Sequence, residues 1–254
     1  SLHDALPILQ INSFKTRDGV NLRYWEAGEG KPLVFIPGWS ANGAEYINVL
    51  YLLSKHYHVY VLDPRNQGLS QHVDYGSRIT RFSADLKEFT EYLGLQTADY
   101  CGWSMGAAIA LQLAARPRHD GVITALVLDS PVLDWTETIK ANCARTGLPA
   151  AAGLLAIPWL TTGPLAHMLG LPEPTPLRQF DWTTRAADLA TPTLILHGTR
   201  DSSAPIRLPQ ALRDQRPDLV TLETFDADHT LAWNSDPERW RSAVTAWLRG
   251  QLRP

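Results

Sequence analysis

The chain has 254 residues, 44% of them hydrophobic, which is enough for one domain with a sizeable core. Its net charge of −3 comes from interspersed acidic and basic residues, so no basic stripe indicates nucleic acid binding and no basic run indicates a membrane surface. No apolar stretch approaches the roughly 18 residues that cross a bilayer, so we expect a soluble protein, cytoplasmic by default, with small-molecule partners.

Residues 1–8 resemble the in-frame translation of a sequencing-adapter oligonucleotide, which points to a metagenomic origin. We exclude them from fold reasoning, and with them any conclusion about a secretion signal.

Strand and helix patterns alternate over residues 9–130 and 190–254. An Asp18-Gly19 turn signal between residues 14–16 and 20–25 predicts an opening antiparallel hairpin. Further strands are predicted at residues 33–36, 58–62, 98–102, 123–128, 193–196 and 220–225, and helices at 45–54, 81–93, 105–115, 207–213 and 237–248. The alternation predicts an α/β fold with a mostly parallel eight-stranded sheet covered by helices on both faces.

Residues 131–189 interrupt this alternation. They contain no convincing strand, and several short helical patches are separated by prolines. Their middle is apolar and rich in small residues, with few charges. We expect this segment to be an inserted helical cap over an apolar pocket.

The segment Gly102-Trp103-Ser104-Met105-Gly106 has the pattern G-x-S-x-G between an apolar run and a helix-forming stretch. This pattern is typical of a sharp strand-to-helix turn that exposes a serine hydroxyl. Glycines are expected on either side because the tight turn leaves no room for Cβ atoms. Ser104 is therefore the candidate nucleophile, and the N–H of Met105 is a candidate donor to an oxyanion.

Two further candidates follow along the chain. Asp201 lies in the loop after the strand predicted at 193–196, and His229 lies in the loop after Val220–Phe225. A serine needs an imidazole base, and that imidazole needs a carboxylate to orient it. We assign these roles to His229 and Asp201. Asp129, at the end of another strand, remains the alternative acid.

A second oxyanion donor is expected upstream. The buried strand at 33–36 leads into Pro37-Gly38-Trp39, where the glycine allows the chain to turn beneath the site. We expect the N–H of Trp39 to be this donor.

In these residues and in their order, the chain resembles an α/β-hydrolase of the lid-bearing branch that contains esterases, lactonases and cofactor-free haloperoxidases. Residues 63–70 resemble the family's D-x-R-G-x-G-x-S turn, and residues 37–39 its H-G-x loop. Pro37 replaces the usual histidine and Asn66-Gln67 replaces Gly-His, so the hydrogen bonds that brace these loops must be made differently.

The resemblance implies a serine hydrolase that cleaves carboxylic esters of small to medium, largely apolar substrates, with no metal or organic cofactor. A lactonase, a C–C hydrolase or a perhydrolase would use the same residues. A ligand-binding receptor on the same fold is the alternative of a different class. The sequence leaves the oligomeric state open.

Nine tryptophans require separate interpretations. Trp240 and Trp247, seven residues apart in the last predicted helix, fit core packing. Five others are candidates for contact with substrate: Trp103, Trp135, Trp159, Trp182 and Trp233. For Trp103, beside the candidate nucleophile, packing beneath the turn is the alternative. The two cysteines, Cys101 and Cys143, lack metal-site spacing and are expected to be reduced thiols.

Overall fold

One eight-stranded sheet organises the computed structural model, which describes residues 8–116, 121–169, 171 and 173–251. The strands are β1 (Gln10–Lys15), β2 (Asn21–Ala27), β3 (Lys31–Ile36), β4 (Tyr57–Leu62), β5 (Ala98–Trp103), β6 (Ile123–Asp129), β7 (Thr193–Gly198) and β8 (Val220–Phe225). Their spatial order is β1-β2-β4-β3-β5-β6-β7-β8. β2 is antiparallel to β1 and β4, and the other neighbouring pairs are parallel. The predicted sheet is thus confirmed.

Helices cover both faces of the sheet. The α-helices among the described residues are α1 (Ile47–Leu53), α2 (Ile79–Tyr92), α3 (Met105–Ala114), α4 (Trp135–Arg145), α5 (Ala150–Thr161), α6 (Gly163–Met168), α7 (Arg207–Gln215), α8 (Ala232–Ser235) and α9 (Pro237–Gly250). α2 and α3 pack into the hydrophobic cluster on one face, and α1 and α9 pack into the cluster on the other.

The period-two alternation of β3 explains how one strand serves both clusters. Val34 and Ile36 belong to the cluster with α2 and α3, whereas Leu33 and Phe35 belong to the cluster with α1 and α9. All four are buried, as expected for a parallel strand covered on both faces. The same alternation fixes which face each residue at the end of a strand can reach.

Most predicted boundaries lie within two residues of the observed ones, and two elements differ by more. β1 begins at Gln10 rather than at residue 14, because Gln10 pairs with Glu26 and extends the ladder through residues in which Ile11 is the one apolar side chain before Phe14. The helix predicted at 45–54 is a 3₁₀ turn, Gly43–Tyr46, followed by α1. Asn42 begins this turn because its side chain and that of Glu45 form a capping box.

Residues 131–189 lie between β6 and β7 and are called the insertion below. Its described residues contain α4, α5, α6 and two 3₁₀ turns (Leu177–Phe180 and Ala186–Asp188), with no strand. α4 begins where the side chain of Asp134 accepts the N–H groups of Thr136 and Glu137. A backbone hydrogen bond of 2.8 Å from Trp182 to Leu133 joins the two ends of the insertion.

The adapter-like assignment falls largely on residues 1–7, which lie outside the described residues. Within the described part of the chain, no helix combines the length and apolar character that a bilayer crossing requires.

Candidate active site

Ser104 occupies the turn between β5 and α3. Its backbone has φ 52° and ψ −111°, a left-handed conformation that is strained for a residue with a Cβ atom. Its N–H donates to the carbonyl of Asp129 at 2.8 Å, which continues the β5–β6 ladder past the end of the strands. The side chain lies at the carboxyl edge of the sheet, where open α/β sheets bind ligands.

The glycines that flank this turn are required by close backbone approach. A Cβ atom on Gly102 would lie 2.5 Å from the amide nitrogen of Ala107, and one on Gly106 would overlap the carbonyl oxygen of Ile36. α3 therefore crosses β3 at a distance that excludes side chains.

A chain of hydrogen bonds joins the three residues assigned from the sequence. Ser104 Oγ lies 2.8 Å from His229 Nε2, and His229 Nδ1 lies 2.8 Å from Asp201 Oδ2. A carboxylate oxygen accepts, so Nδ1 carries a hydrogen and the neutral ring leaves Nε2 free to accept the Ser104 hydroxyl proton. The arrangement has the connectivity of a nucleophile, base and orienting acid.

Backbone groups fix the other oxygen of Asp201. Oδ1 accepts the N–H groups of Ser203 at 2.9 Å and Ala204 at 2.7 Å, which closes the loop after β7. His197, near the end of β7, lies beside Asp201 and does not line the cavity. Its Nε2 is 3.3 Å from Asp201 Oδ2. The Asp201 carboxylate is thus held on both sides.

Asp129, the alternative acid, lies behind the site. Its carboxylate accepts from Trp240 Nε1 at 2.8 Å and from Ser130 Oγ at 3.0 Å. Its hydrogen bonds run to these two groups, and His229 is bonded to Asp201 instead. Complete burial raises the pKa of Asp129 to about 7, against the lowering effect of the hydrogen bonds from Trp240 and Ser130.

Ser130 connects this buried carboxyl group to the loop that carries His229. Its Oγ accepts the N–H of Thr230 at 3.0 Å, and its own N–H donates to Leu196 in β7. Ser130 and Thr230 both have positive φ, 48° and 58°. Local strain is therefore concentrated at the ends of β5 and β6 and beside His229.

The two candidate oxyanion donors lie at the same cavity as Ser104. Met105 and Trp39 both line it, and neither backbone N–H has an acceptor within the described part of the chain. The indole of Trp39 itself is 64% exposed, so only its backbone fits the proposed role.

A cavity of about 720 Å³ lies between the strand ends and the insertion. Its core side includes Ser104, His229, Phe82 and Arg78, and its insertion side is largely apolar. The insertion contributes Val132, Trp135, Thr138, Ile139, Asn142, Leu160, Leu171, Thr175, Leu177 and Phe180. This volume is in the range of a pocket for a small to medium ligand.

Trp135 is the one of the five expected substrate-contacting tryptophans that lines the cavity. The expectation is corrected for Trp103 and Trp233, which pack against Trp240 with ring centroids 5.4 and 5.1 Å away. Trp103 ends β5 on the same face as Phe35, so strand alternation directs its ring into the core.

Trp159 and Trp182 also lie away from the cavity, which corrects the expectation for them. Leu160 lines the cavity, and its neighbour Trp159 lies about 100° around α5 and is 39% exposed. Trp182 is 1% exposed within the core cluster that contains α2 and α3.

The turn at residues 63–70 braces the site rather than lining it. Arg65 is fully buried and binds Asp85 at 2.6 and 2.7 Å and Asp18 at 3.0 and 3.2 Å. Asn66, where the family pattern has glycine, adopts φ 66° and donates from Nδ2 to Ser77 Oγ at 2.8 Å. Asparagine tolerates this conformation better than other side chains, which explains the departure from the pattern.

Sequence reasoning missed the polar residues of the cavity wall. Arg78, Thr138 and Asn142 line it, but they lie on a loop and a helix without a recognisable motif. Arg78 directly precedes α2 at the carboxyl edge of the sheet, and this position was the one feature that could have identified it as a cavity residue.

No group of three or more potential metal-ligating side chains occurs among residues 8–116, 121–169, 171 and 173–251. Cys101 and Cys143 are free thiols, and burial raises the pKa of Cys101 well above its ordinary value.

Comparisons with known proteins agree with this architecture. A family model described as alpha/beta hydrolase fold matches residues 31–146, somewhat less than half of the chain. A non-heme haloperoxidase of Rhodococcus erythropolis is 24% identical over 226 residues, covering 74% of this chain and 81% of the relative. The pimeloyl-[acyl-carrier protein] methyl ester esterase of Vibrio cholerae is 23% identical over 228 residues, covering 76% and 86% respectively.

A solved structure of a Pyrococcus furiosus esterase matches with a TM-score of 0.73 at 21% identity, covering 96% of this chain and 92% of that one. The chain has the α/β-hydrolase fold. Members of one fold differ in chemistry, so the activity has to be argued from the site.

Proposed function

We propose that the protein is a serine hydrolase that cleaves carboxylic esters of small to medium, largely apolar substrates through an acyl-enzyme on Ser104. The observation that carries the proposal is the continuous chain from Ser104 Oγ through His229 to Asp201 Oδ2, with both hydrogen bonds at 2.8 Å. A serine hydroxyl is a weak nucleophile near pH 7 unless such a base removes its proton.

In the acylation step, His229 Nε2 takes the proton from Ser104 Oγ as this oxygen attacks the ester carbonyl carbon. The carbonyl electrons move onto oxygen, and the N–H groups of Met105 and Trp39 donate to this oxyanion. When the intermediate collapses, the bond to the alcohol oxygen breaks, and His229 returns the proton to the leaving alcohol. Asp201 stabilises the imidazolium and keeps its charge throughout.

Deacylation repeats these steps with water. His229 removes a proton from a water molecule, whose oxygen attacks the acyl carbon on Ser104. Collapse releases the carboxylic acid, and Ser104 Oγ recovers its proton from His229. The cycle consumes one ester and one water and needs no other reactant.

The cavity supports the substrate class. Its walls are mostly apolar, and side chains of the insertion face Ser104 and His229 across it. On this proposal residues 131–189 act as a cap, which favours compact substrates over polymer chains. The esterase relative and the esterase structure are consistent with the proposed reaction.

The test is a panel of p-nitrophenyl esters with acyl chains from two to twelve carbons. We expect Ser104→Ala to lower kcat by about 10⁴-fold or more. The wild type should give an acyl adduct on Ser104 in rapid-quench mass spectrometry. Ser242→Ala, an exposed serine of α9, is the matched control and should retain wild-type rates.

Folded wild type that turns over none of these esters would contradict the general ester hydrolase. The same assay with a lactone, a carbon–carbon substrate such as a β-diketone, or acetate with hydrogen peroxide would then identify one of the alternatives. Ligand binding by Ser104→Ala without turnover by wild type on any of them would support a receptor.

A further inference from the structure

Arg78 stands out among the residues of the cavity. It is the one lysine or arginine in the described lining, and it shares that lining with Ser104 and His229. It is partly buried and directly precedes α2. No ion pair or side-chain hydrogen bond of its guanidinium group occurs within the described chain, whereas Arg81, three residues later, binds Asp85 and Glu88.

This lack of partners leaves the group available to a bound molecule. A guanidinium group carries five N–H donors and stays charged at all relevant pH values. The nitrogens of Arg78 are not among the buried polar atoms of the described chain, so water reaches them and no acceptor of the protein occupies them. An anionic group on a bound molecule would supply the acceptors, and the planar guanidinium matches the two oxygens of a carboxylate.

The acidic groups nearby do not neutralise Arg78. The first turn of α2 contains no acidic residue. Glu45 is the one carboxylate residue of the described lining, and it accepts hydrogen bonds from the backbone and side chain of Asn42 at 3.2 and 3.0 Å. The lining thus keeps one positive charge without a negative partner.

The insertion side of the described lining carries no charged side chain. Thr138 belongs to this side, but its Oγ is buried out of reach of solvent and so does not face the cavity. The walls beyond Arg78 are largely aliphatic and aromatic, including Ile139, Leu177 and Phe180. Such a lining is complementary to a ligand with an apolar body and one anionic end.

We propose that the substrates are monoesters of dicarboxylic acids, with the ester carbonyl at Ser104, the free carboxylate at Arg78 and the methylene chain along the apolar walls. This inference rests on the proposed ester hydrolysis and specifies its substrate. It makes Arg78 a specificity-determining residue for that reaction.

A matched pair of substrates isolates the carboxylate. Monomethyl adipate and methyl hexanoate have the same ester and the same four methylene groups, and they differ in whether the far end is a carboxylate or a methyl group. The quantity to measure is the ratio of kcat/KM for adipate to kcat/KM for hexanoate, from methanol release at pH 7.5. Wild type should favour monomethyl adipate.

Three variants test the cause of this preference. Arg78→Gln should lower the ratio by roughly tenfold to a hundredfold, as expected for the loss of a charge-assisted hydrogen bond. Arg78→Lys should retain part of it, because the charge remains and the planar fork is lost. Glu45→Gln keeps the acceptor that Asn42 uses and removes the negative charge of the lining, so it should not lower the ratio.

A binding measurement separates this inference from the proposed reaction. Monomethyl adipate is titrated by calorimetry into Ser104→Ala and into Ser104→Ala/Arg78→Gln, and the second variant should bind it at least about tenfold more weakly. Equal affinities, or an adipate-to-hexanoate ratio unchanged in Arg78→Gln, would overturn the inference even if methyl hexanoate is hydrolysed. A folded wild type that hydrolyses neither ester nor the p-nitrophenyl panel would overturn the ester hydrolase proposal, and this inference with it.

Discussion

His197 Nε2 lies 3.3 Å from Asp201 Oδ2, and both side chains are fully buried. The same nitrogen lies 2.8 Å from the carbonyl oxygen of Ala204. Because a carbonyl oxygen only accepts, Nε2 carries the hydrogen and donates into the turn that holds Asp201. Burial lowers the pKa of His197, so the ring is neutral near pH 7. Its Nδ1 is buried without a hydrogen-bond partner.

His197→Phe should therefore lower kcat by about tenfold with little change in KM, because it removes the hydrogen bond to Ala204, whose N–H in turn holds Asp201. The measurement is a pH–rate profile of both proteins. His197→Gln keeps a side-chain N–H donor and should recover part of the rate. A His197→Phe profile that overlays the wild type would show that the contact only packs the loop.

The two candidate acids can be separated by amide substitutions. Asp201→Asn should lower kcat by about 10³ to 10⁴-fold, because an amide at this position no longer fixes the His229 tautomer. Asp129→Asn should lower it by less than about tenfold, since its hydrogen bonds go to Trp240 and Ser130. Steady-state kinetics with one p-nitrophenyl ester suffices, and the reverse ranking would make Asp129 the acid.

Asp129 should also affect how stability depends on pH. Its folded pKa of about 7 lies above the value of about 3.9 in the unfolded chain, so the folded state binds the proton more tightly. Its stabilising contribution is full below about pH 4 and is lost as the pH rises through about 7, by at most about 1.4 kcal/mol per pH unit. Urea unfolding of wild type should show a free energy of unfolding that decreases from pH 5 to pH 8. The decrease should be smaller in Asp129→Asn, and parallel curves would contradict the assignment.

Gly106→Ala should destabilise the fold by about 2 kcal/mol or more, because its Cβ atom would overlap the carbonyl oxygen of Ile36. Gly163, at the start of α6, has open space where a Cβ atom would lie, and its φ is not positive. Gly163→Ala is therefore the matched control and should be neutral or slightly stabilising. Thermal unfolding of both variants checks the contrast, which would be refuted by equal midpoints.

Trp135 lines the cavity and Trp182 lies in the hydrophobic core, so alanine substitutions at the two positions should have different effects. Trp135→Ala enlarges the cavity and should shift the preferred acyl chain to greater length with a modest change in stability. Trp182→Ala removes a ring that is 1% exposed and should cost about 3–5 kcal/mol of unfolding free energy. Chain-length profiles and denaturant unfolding, measured on both variants, test the assignment. A profile shift in Trp182→Ala alone would reverse it.

The sequence predicted the strands of the sheet, the loops that carry Asp201 and His229, and the turn that carries Ser104. These features could be predicted because they rest on local patterns. Val220–Phe225 has the predicted bounds, and G-x-S-x-G lies at the predicted turn between β5 and α3. β1 was underestimated because its first residues are mostly polar and are held by pairing with β2. α8, a helix of four residues, has no periodic pattern to detect.

Side-chain direction was the part that sequence could not supply. Trp103 is adjacent to the candidate nucleophile but faces Phe35 and Trp240, because the strand that carries it has only two faces. Arg78 has no neighbour in sequence that identifies it, and it reaches the cavity only because α2 begins at the carboxyl edge of the sheet. Both outcomes depend on tertiary packing rather than on local propensity.

Ser104 and His229 are 125 positions apart in the chain. They meet because the ends of successive strands are hydrogen-bonded to one another. These backbone hydrogen bonds run from Ser104 to Asp129, from Ser130 to Leu196 and from Thr199 to Phe225. β5, β6, β7 and β8 must all be paired before the base can reach the nucleophile. Closing the chain between such distant positions costs more entropy than forming a local contact, so we expect this contact to form late. During refolding, the proposed hydrolase activity should consequently return in step with the last strand pairing, after helix content has recovered. Turnover is thus a more stringent measure of the native state than circular dichroism.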